Sequence, residues 1–164
     1  MSVRRIREYL DGNKARYARL PHSPAHTASE VAQAVHIPGR EVVKTVVLKI
    51  DGRMALAVVP STHDVDLDRV KEVLGAMSVA LATEGEFADR FQGSQLGAMP
   101  PFGNLYGMGT IVDRSLAKEK FIAFNAGTHT DVFAMPFADY RRLAHPLLAR
   151  IEMEKMNDLH TAQI

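Results

Sequence analysis

The chain has 164 residues, 46% of them hydrophobic, and a formal net charge of +1, which suits one domain with its own core and does not by itself announce a nucleic-acid binder. It contains no cysteine, so a disulfide framework, a thiolate zinc site and a cysteine nucleophile are excluded. Charges stand near the N-terminus where a signal peptide needs an apolar stretch, and no apolar run approaches the ~18 residues that span a bilayer; a cytoplasmic protein with no membrane role is expected.

Residues 3–11 read as a short helix ending at Asp11-Gly12, and Ala15–Leu20 as a strand that meets Pro21. Thr27-Ala28-Ser29-Glu30 has the capping-box pattern, in which the threonine oxygen and the glutamate satisfy each other's free backbone donors. The helix it opens should reach about Val35 and stop before Pro38-Gly39. Val42–Ile50 is dominated by β-branched residues, Asp51-Gly52 makes a turn, and Met54–Val59 is apolar up to Pro60. A two-residue Asp-Gly loop between apolar runs predicts a hairpin, because both positions tolerate positive φ.

Leu67–Leu74 places Leu67, Val70, Val73 and Leu74 on one helical stripe. A short strand over Ser78–Ala82 follows, and Thr83-Glu84-Gly85-Glu86 repeats the capping box, opening a helix to about Phe91. Residues 92–109 hold five glycines (Gly93, Gly97, Gly103, Gly107, Gly109) and the pair Pro100-Pro101. A loop of that length inside a compact domain is usually functional or mobile. Strands at Thr110–Val112, Lys120–Phe124 and Val132–Met135 and a helix from Phe137 to about Leu143 complete the pattern. Residues 150–164 read as a loosely packed extension. The fold class expected is α+β (mixed α/β).

Charge is unevenly spread: residues 1–20 carry net +4 and residues 61–95 net −4. Such polarity suits a basic face turned to phosphate, although two ordinary solvated helix surfaces explain it as well. His22-Ser23-Pro24-Ala25-His26 has the histidine spacing of a helical zinc site but lacks its glutamate, and Pro24 breaks the helix, so no metal is expected. There is no Gly-x-Ser-x-Gly elbow and no Walker-type Gly-Lys-Ser/Thr. Any catalysis must then rest on positioning, backbone donors and a lysine.

Lys44 stands out within its strand. Side chains alternate along the strand, so Val42, Lys44, Val46, Leu48 and Ile50 share a face that is apolar except for Lys44. If that face looks inward, the ammonium must reach water, find an anion or lose its proton.

Several segments resemble, in order, the YbaK / prolyl-tRNA-synthetase-associated editing domains. Val43-Lys44-Thr45-Val46-Val47 resembles the family's lysine strand, and Gly97-Ala98-Met99-Pro100-Pro101-Phe102-Gly103 its Gly-x-x-x-Pro loop. His22 to Thr27, Val58-Val59-Pro60, Ile111-Val112-Asp113 and Phe124-Asn125-Ala126-Gly127-Thr128-His129 extend the likeness over about residues 3–146. The resemblance implies a single domain, residues 1–149, with a central, partly barrel-like mixed sheet surrounded by helices, followed by a C-terminal extension, 150–164. It implies a deacylase for mischarged aminoacyl-tRNA, with alanyl- or cysteinyl-tRNA(Pro) as the substrate type. It also implies Lys44 as the catalytic residue and Gly97, Ala98, Met99, Pro101, Asn125 and His129 as substrate-binding residues.

No cofactor or metal is implied. The partners expected are the acceptor end of a mischarged tRNA and an aminoacyl-tRNA synthetase, with the protein a monomer or weak dimer. A non-catalytic aminoacyl-tRNA or synthetase binding module is the alternative. The chain departs from some relatives at Thr45, where they carry asparagine.

Overall fold

The structure, a computed structural model, describes residues 3–21, 28–95 and 97–155. Helix α1 (Val3–Gly12) buries Ile6 and Leu10 and is followed by strand β1 (Ala18–Pro21) and helix α2 (Ala28–Val35). The Thr27 capping position and the His22–His26 stretch lie outside the described residues. Strands β2 (Val43–Ile50) and β3 (Arg53–Pro60) form the expected hairpin, and Asp51 and Gly52 both take positive φ, 49° and 83°. That is the backbone which a two-residue turn between twisted strands requires.

Strand β4 (His63–Val65), helix α3 (Leu67–Leu74), strand β5 (Val79–Leu81) and helix α4 (Glu84–Phe87) come next. Asp66 caps α3 by accepting from the Arg69 N–H, and Thr83 and Glu86 close the capping box of α4 in both directions. Strands β6 (Gly109–Asp113), β7 (Phe121–Asn125) and β8 (Asp131–Pro136), helix α5 (Phe137–Ala144) and strands β9 (Leu147–Ala149) and β10 (Glu152–Glu154) complete the order.

A five-stranded mixed sheet, β5-β2-β3-β6-β9, is the frame, parallel only at β3–β6 and β6–β9. A three-stranded antiparallel sheet, β1-β8-β7, meets it at one parallel bridge between Val42 and Ala123. Both faces of β2 and β3 are buried. Val43 and Val58 pack with Ile6, Phe102, Phe124 and Tyr140 beneath α1 and α5. Leu48, Ala57 and Val59 pack on the opposite face, against Val70 of α3 and Ile151. Val47, Leu56, Phe87, Phe91, Met99 and Met108 form a further cluster around the second half of the hairpin.

Two expectations need correction. The stripe on α3 is only partly used: Val70 is buried, whereas Val73 and Leu74 are 41% and 36% exposed, because the helix packs on the sheet through its first turn, with Leu67 and Val70. The segment after Arg150 is not loosely packed as far as Glu154. Ile151 is fully buried, β10 pairs antiparallel with β4, and the buried Asp113 carboxylate accepts from the Ile151 and Glu152 N–H groups at 2.8 and 3.1 Å. Residues 156–164 lie outside the described residues.

Candidate active site

A cavity of about 410 Å³ opens along the edge of β2, lined by Val43 to Val47, by Leu81, Ala82, Glu84 and Phe87, and by Gly97, Met99 and Asn125. Its size and its mixture of apolar walls with a few polar groups suit a small ligand. Of the residues singled out from the sequence, Lys44, Gly97, Met99 and Asn125 meet here.

Lys44 lies opposite Val59 in the β2–β3 ladder, on the face that α3 and β4 cover. Its side chain is 27% exposed and its ammonium is ion-paired with the Asp64 carboxylate of β4. The polar partner that an inward lysine needs is thus supplied by the chain. The ion pair with Asp64 holds the Lys44 side chain at the edge of the cavity. A second cavity, of about 390 Å³, shares Lys44, Val46 and Leu81 with the first and adds Asp64 and Leu67, so the ion pair stands between two openings. Lys49, on the other alternation of β2, instead pairs with Glu86 at 2.5 Å; that pair and the capping bonds to Thr83 hold the Glu86 carboxyl down at about 2.

The glycine loop is packed into the protein rather than mobile. Ala98, Met99 and Phe102 are 5% exposed or less. The Tyr140 hydroxyl, its pKa raised by burial, donates to the Pro101 carbonyl at 2.6 Å. Gly103 is wedged where a Cβ would come within 2.5 Å of Thr110 Oγ1, and its N–H donates to that same oxygen at 3.0 Å. The loop's other end is stapled to the turn after β7: Gln95 N–H to Gly127 carbonyl, Gly127 N–H to Ala98 carbonyl, and His129 N–H to Gln95 Oε1.

This packing sorts the loop residues. Ala98 is buried and its N–H is committed to the Gln95 carbonyl at 3.0 Å. Pro101 has no N–H and serves as the Tyr140 anchor; neither residue lines the cavity. Gly97, at φ 84°, is in a conformation that residues with a Cβ rarely adopt. Among the described residues its N–H donates to the soft Met99 sulfur at 3.3 Å, a contact that a stronger acceptor would displace. His129 sits beside Gly97, its Cε1 3.5 Å from where a Cβ would be, but outside the cavity lining. Asn125, at the end of β7, lines the cavity and keeps its Oδ1 buried, with no hydrogen-bond partner among the described residues. Val31 packs with Val42, Ala123 and Val132 in a separate cluster, with Val35 against it, away from the site.

The sequence profile of the aminoacyl-tRNA editing domain matches residues 22–143. The chain belongs to that family. Among curated relatives, it is 32% identical over 91 residues to the proline–tRNA ligase of Geobacillus kaustophilus (strain HTA426), a match covering 56% of this chain and 16% of the ligase. The proline–tRNA ligase of Nitratidesulfovibrio vulgaris (strain Hildenborough) is 33% identical over 89 residues, covering 54% and 15%. The matched part of the chain spans only about one sixth of the length of those ligases. Its fold is also that of a solved structure described as a proposed trans-editing enzyme for prolyl tRNA synthetase, with a TM-score of 0.78 at 23% identity, covering 92% of this chain and 96% of the other. No helix among the described residues is long and apolar enough to cross a membrane.

Asp64 carries no local signal as a partner for Lys44. It stands on a three-residue strand with no periodicity of its own, which turns back from the end of β3 and pairs with β10.

Proposed function

We propose that this editing domain hydrolyses the ester between an amino acid and the terminal ribose of a mischarged tRNA. The observation that carries this reading is the meeting, in one cavity, of a charge-paired Lys44, of Gly97 with its N–H on the soft Met99 sulfur, and of Asn125. As the ester carbonyl becomes tetrahedral, negative charge gathers on its oxygen, and fixed donors stabilise it without a protein nucleophile. Gly97 supplies such a donor, and the Lys44 ammonium supplies a field of the right sign.

Water forms the new bond to the carbonyl carbon as the bond to the ribose oxygen breaks. The ribose oxygen leaves with a proton, releasing free amino acid and tRNA. Small amino acids such as alanine or cysteine suit the lining, because Val47, Phe87 and Met99 crowd the apolar wall. The tRNA acceptor end is the partner, the reaction needs no metal or cofactor, and an aminoacyl-tRNA synthetase is a candidate second partner. Deacylation assayed over a panel of mischarged tRNAs tests the reading: release of a small amino acid supports it, and binding without turnover across the panel would replace it with a non-catalytic module.

A further inference from the structure

Two neighbours share the free edge of β2, and neither covers its middle. On one flank, β7 is joined by the isolated Val42–Ala123 bridge just ahead of β2, the one bridge between them among the described residues. On the other, β5 pairs with Leu48–Ile50, and the Ala82 N–H adds a last bond to the Val47 carbonyl at 3.0 Å.

Along a strand, the N–H and C=O of one residue point to the same side, and those of the next point to the other. The Val42 carbonyl accepts from Ser61 on the β3 side at 2.7 Å, whereas the Val47 carbonyl faces β5. Odd-numbered residues of β2 therefore turn their backbone polar groups to the free edge. Thr45 lies between the two contacts, with no ladder partner on that edge among the described residues. That opening is part of the cavity: Thr45 lines it, with Asn125 two residues past the bridge on one side and Leu81 and Ala82 at the end of β5 on the other. Backbone groups that face a cavity exchange bonds to water for bonds to a ligand that carries the complementary pair, and such a ligand takes the place that a neighbouring strand leaves open.

We propose that the aminoacyl group is bound there as a one-residue strand addition to Thr45. An α-amino acid presents its nitrogen and carbonyl oxygen at the spacing of any strand residue. Two residues in a hydrogen-bonded antiparallel pair exchange both bonds. The α-ammonium donates to the Thr45 carbonyl, and the Thr45 N–H donates to the acyl oxygen, whose second lone pair remains for Gly97. The Glu84 carboxylate, also in the lining, adds a negative charge to the side that receives an ammonium. This main-chain grip is blind to the side chain. It reads only that the substrate is an α-amino acid, and leaves the choice among amino acids to the apolar wall of Val47, Phe87 and Met99.

The inference rests on the deacylase reading, and two measurements separate the fates of the two. The first compares alanyl-tRNA with propionyl-tRNA, which lacks only the α-ammonium, each rate divided by its own uncatalysed hydrolysis. Loss of a charge-assisted hydrogen bond should lower the normalised kcat/KM for the propionyl ester by about 10- to 100-fold; equal values would overturn the docking. The second follows the Thr45 amide by NMR while the protein is saturated with 3′-alanylamido-adenosine, which cannot be hydrolysed. The resonance should shift and its hydrogen exchange slow by about tenfold or more, and an unchanged Thr45 amide would overturn the docking. If no aminoacyl-tRNA is hydrolysed, the deacylase reading fails alone, and the Thr45 amide still decides whether the edge takes an aminoacyl group.

Discussion

Two carboxylates on neighbouring parts of this fold are treated in opposite ways. Asp113, at the end of β6, is fully buried and saturated: it accepts from the N–H groups of Ser115, Ile151 and Glu152 and from the Ser115 hydroxyl. Asp64, on β4, is 36% exposed and holds Lys44 at the border of two cavities, beside a strand edge that no neighbouring strand closes. The first arrangement satisfies its polar groups internally and so locks the chain. The second is partly exposed, beside a cavity large enough for a ligand. One carboxylate thus locks the chain from within, whereas the other borders an open space.

Substitutions should separate the two regions. Lys44→Ala should cut deacylation of a mischarged tRNA by at least about 100-fold, since it removes a charge that the transition state uses, while the thermal midpoint changes little. Normal turnover in that variant would remove Lys44 from the mechanism. Asp113→Ala should do the reverse. It strips the acceptor from three backbone N–H groups and should cost about 3 kcal/mol or more, a fall of roughly 10 °C in Tm; folded enzyme that remains should deacylate normally at low temperature.

Gly97→Val should reduce kcat by about tenfold or more with little change in tRNA affinity, because it forces a β-branched residue to φ 84° and displaces the donor rather than any phosphate contact. If kcat is unchanged, the Gly97 N–H is not the oxyanion donor. Asp64→Asn should be milder than Lys44→Ala, lowering kcat about tenfold by loosening the ammonium's position; a loss equal to that of Lys44→Ala would mean that the carboxylate itself takes part. Lys49→Ala removes only the pair with Glu86 and should stay within about threefold of the parent activity.

The smallest effect expected is on pH dependence at the saturated carboxylate. Burial pushes the Glu152 carboxyl up, and the adjacent Asp113 charge raises it further. Burial also pushes Asp113 up, but the hydrogen bonds from Glu152, Ser115 and Ile151 outweigh it and hold the group below its ordinary value. A raised carboxyl pKa contributes stability below the unfolded value that is lost as pH rises through the folded one; a lowered one contributes stability above the unfolded value that is lost as pH falls. The pair should therefore be firmest near the ordinary carboxylate pKa. Glu152→Gln should flatten the decline of Tm on the high-pH side of that window, and an identical Tm–pH curve would dissolve the coupling.

Strong local signals survived folding. The Asp51-Gly52 hairpin, the Thr83 capping box and the strands over residues 110–136 depend on neighbours in sequence, so they stand where periodicity and turn chemistry put them. The same holds for Lys44 as an anomaly within an apolar strand. Strands β4, β9 and β10, three residues each, have no such signal and exist because a partner strand completes their hydrogen bonds. For the same reason the residues after Arg150 read as a polar tail, although Ile151 and the Asp113 bonds carry them into the core.

By itself the sequence determined most of the longer elements, the absence of thiolate chemistry, and the set of residues in which Lys44, Gly97, Met99 and Asn125 stand out. Tertiary structure decided which of them meet. It gave Lys44 its counter-ion, turned Ala98 and Pro101 into anchors of the loop, and left Thr45 uncovered where two sheets part. The physical reason is that a side chain's chemistry travels with its identity, whereas burial, ion pairing and the completion of a strand's hydrogen bonds depend on residues distant in the chain, which no local pattern records.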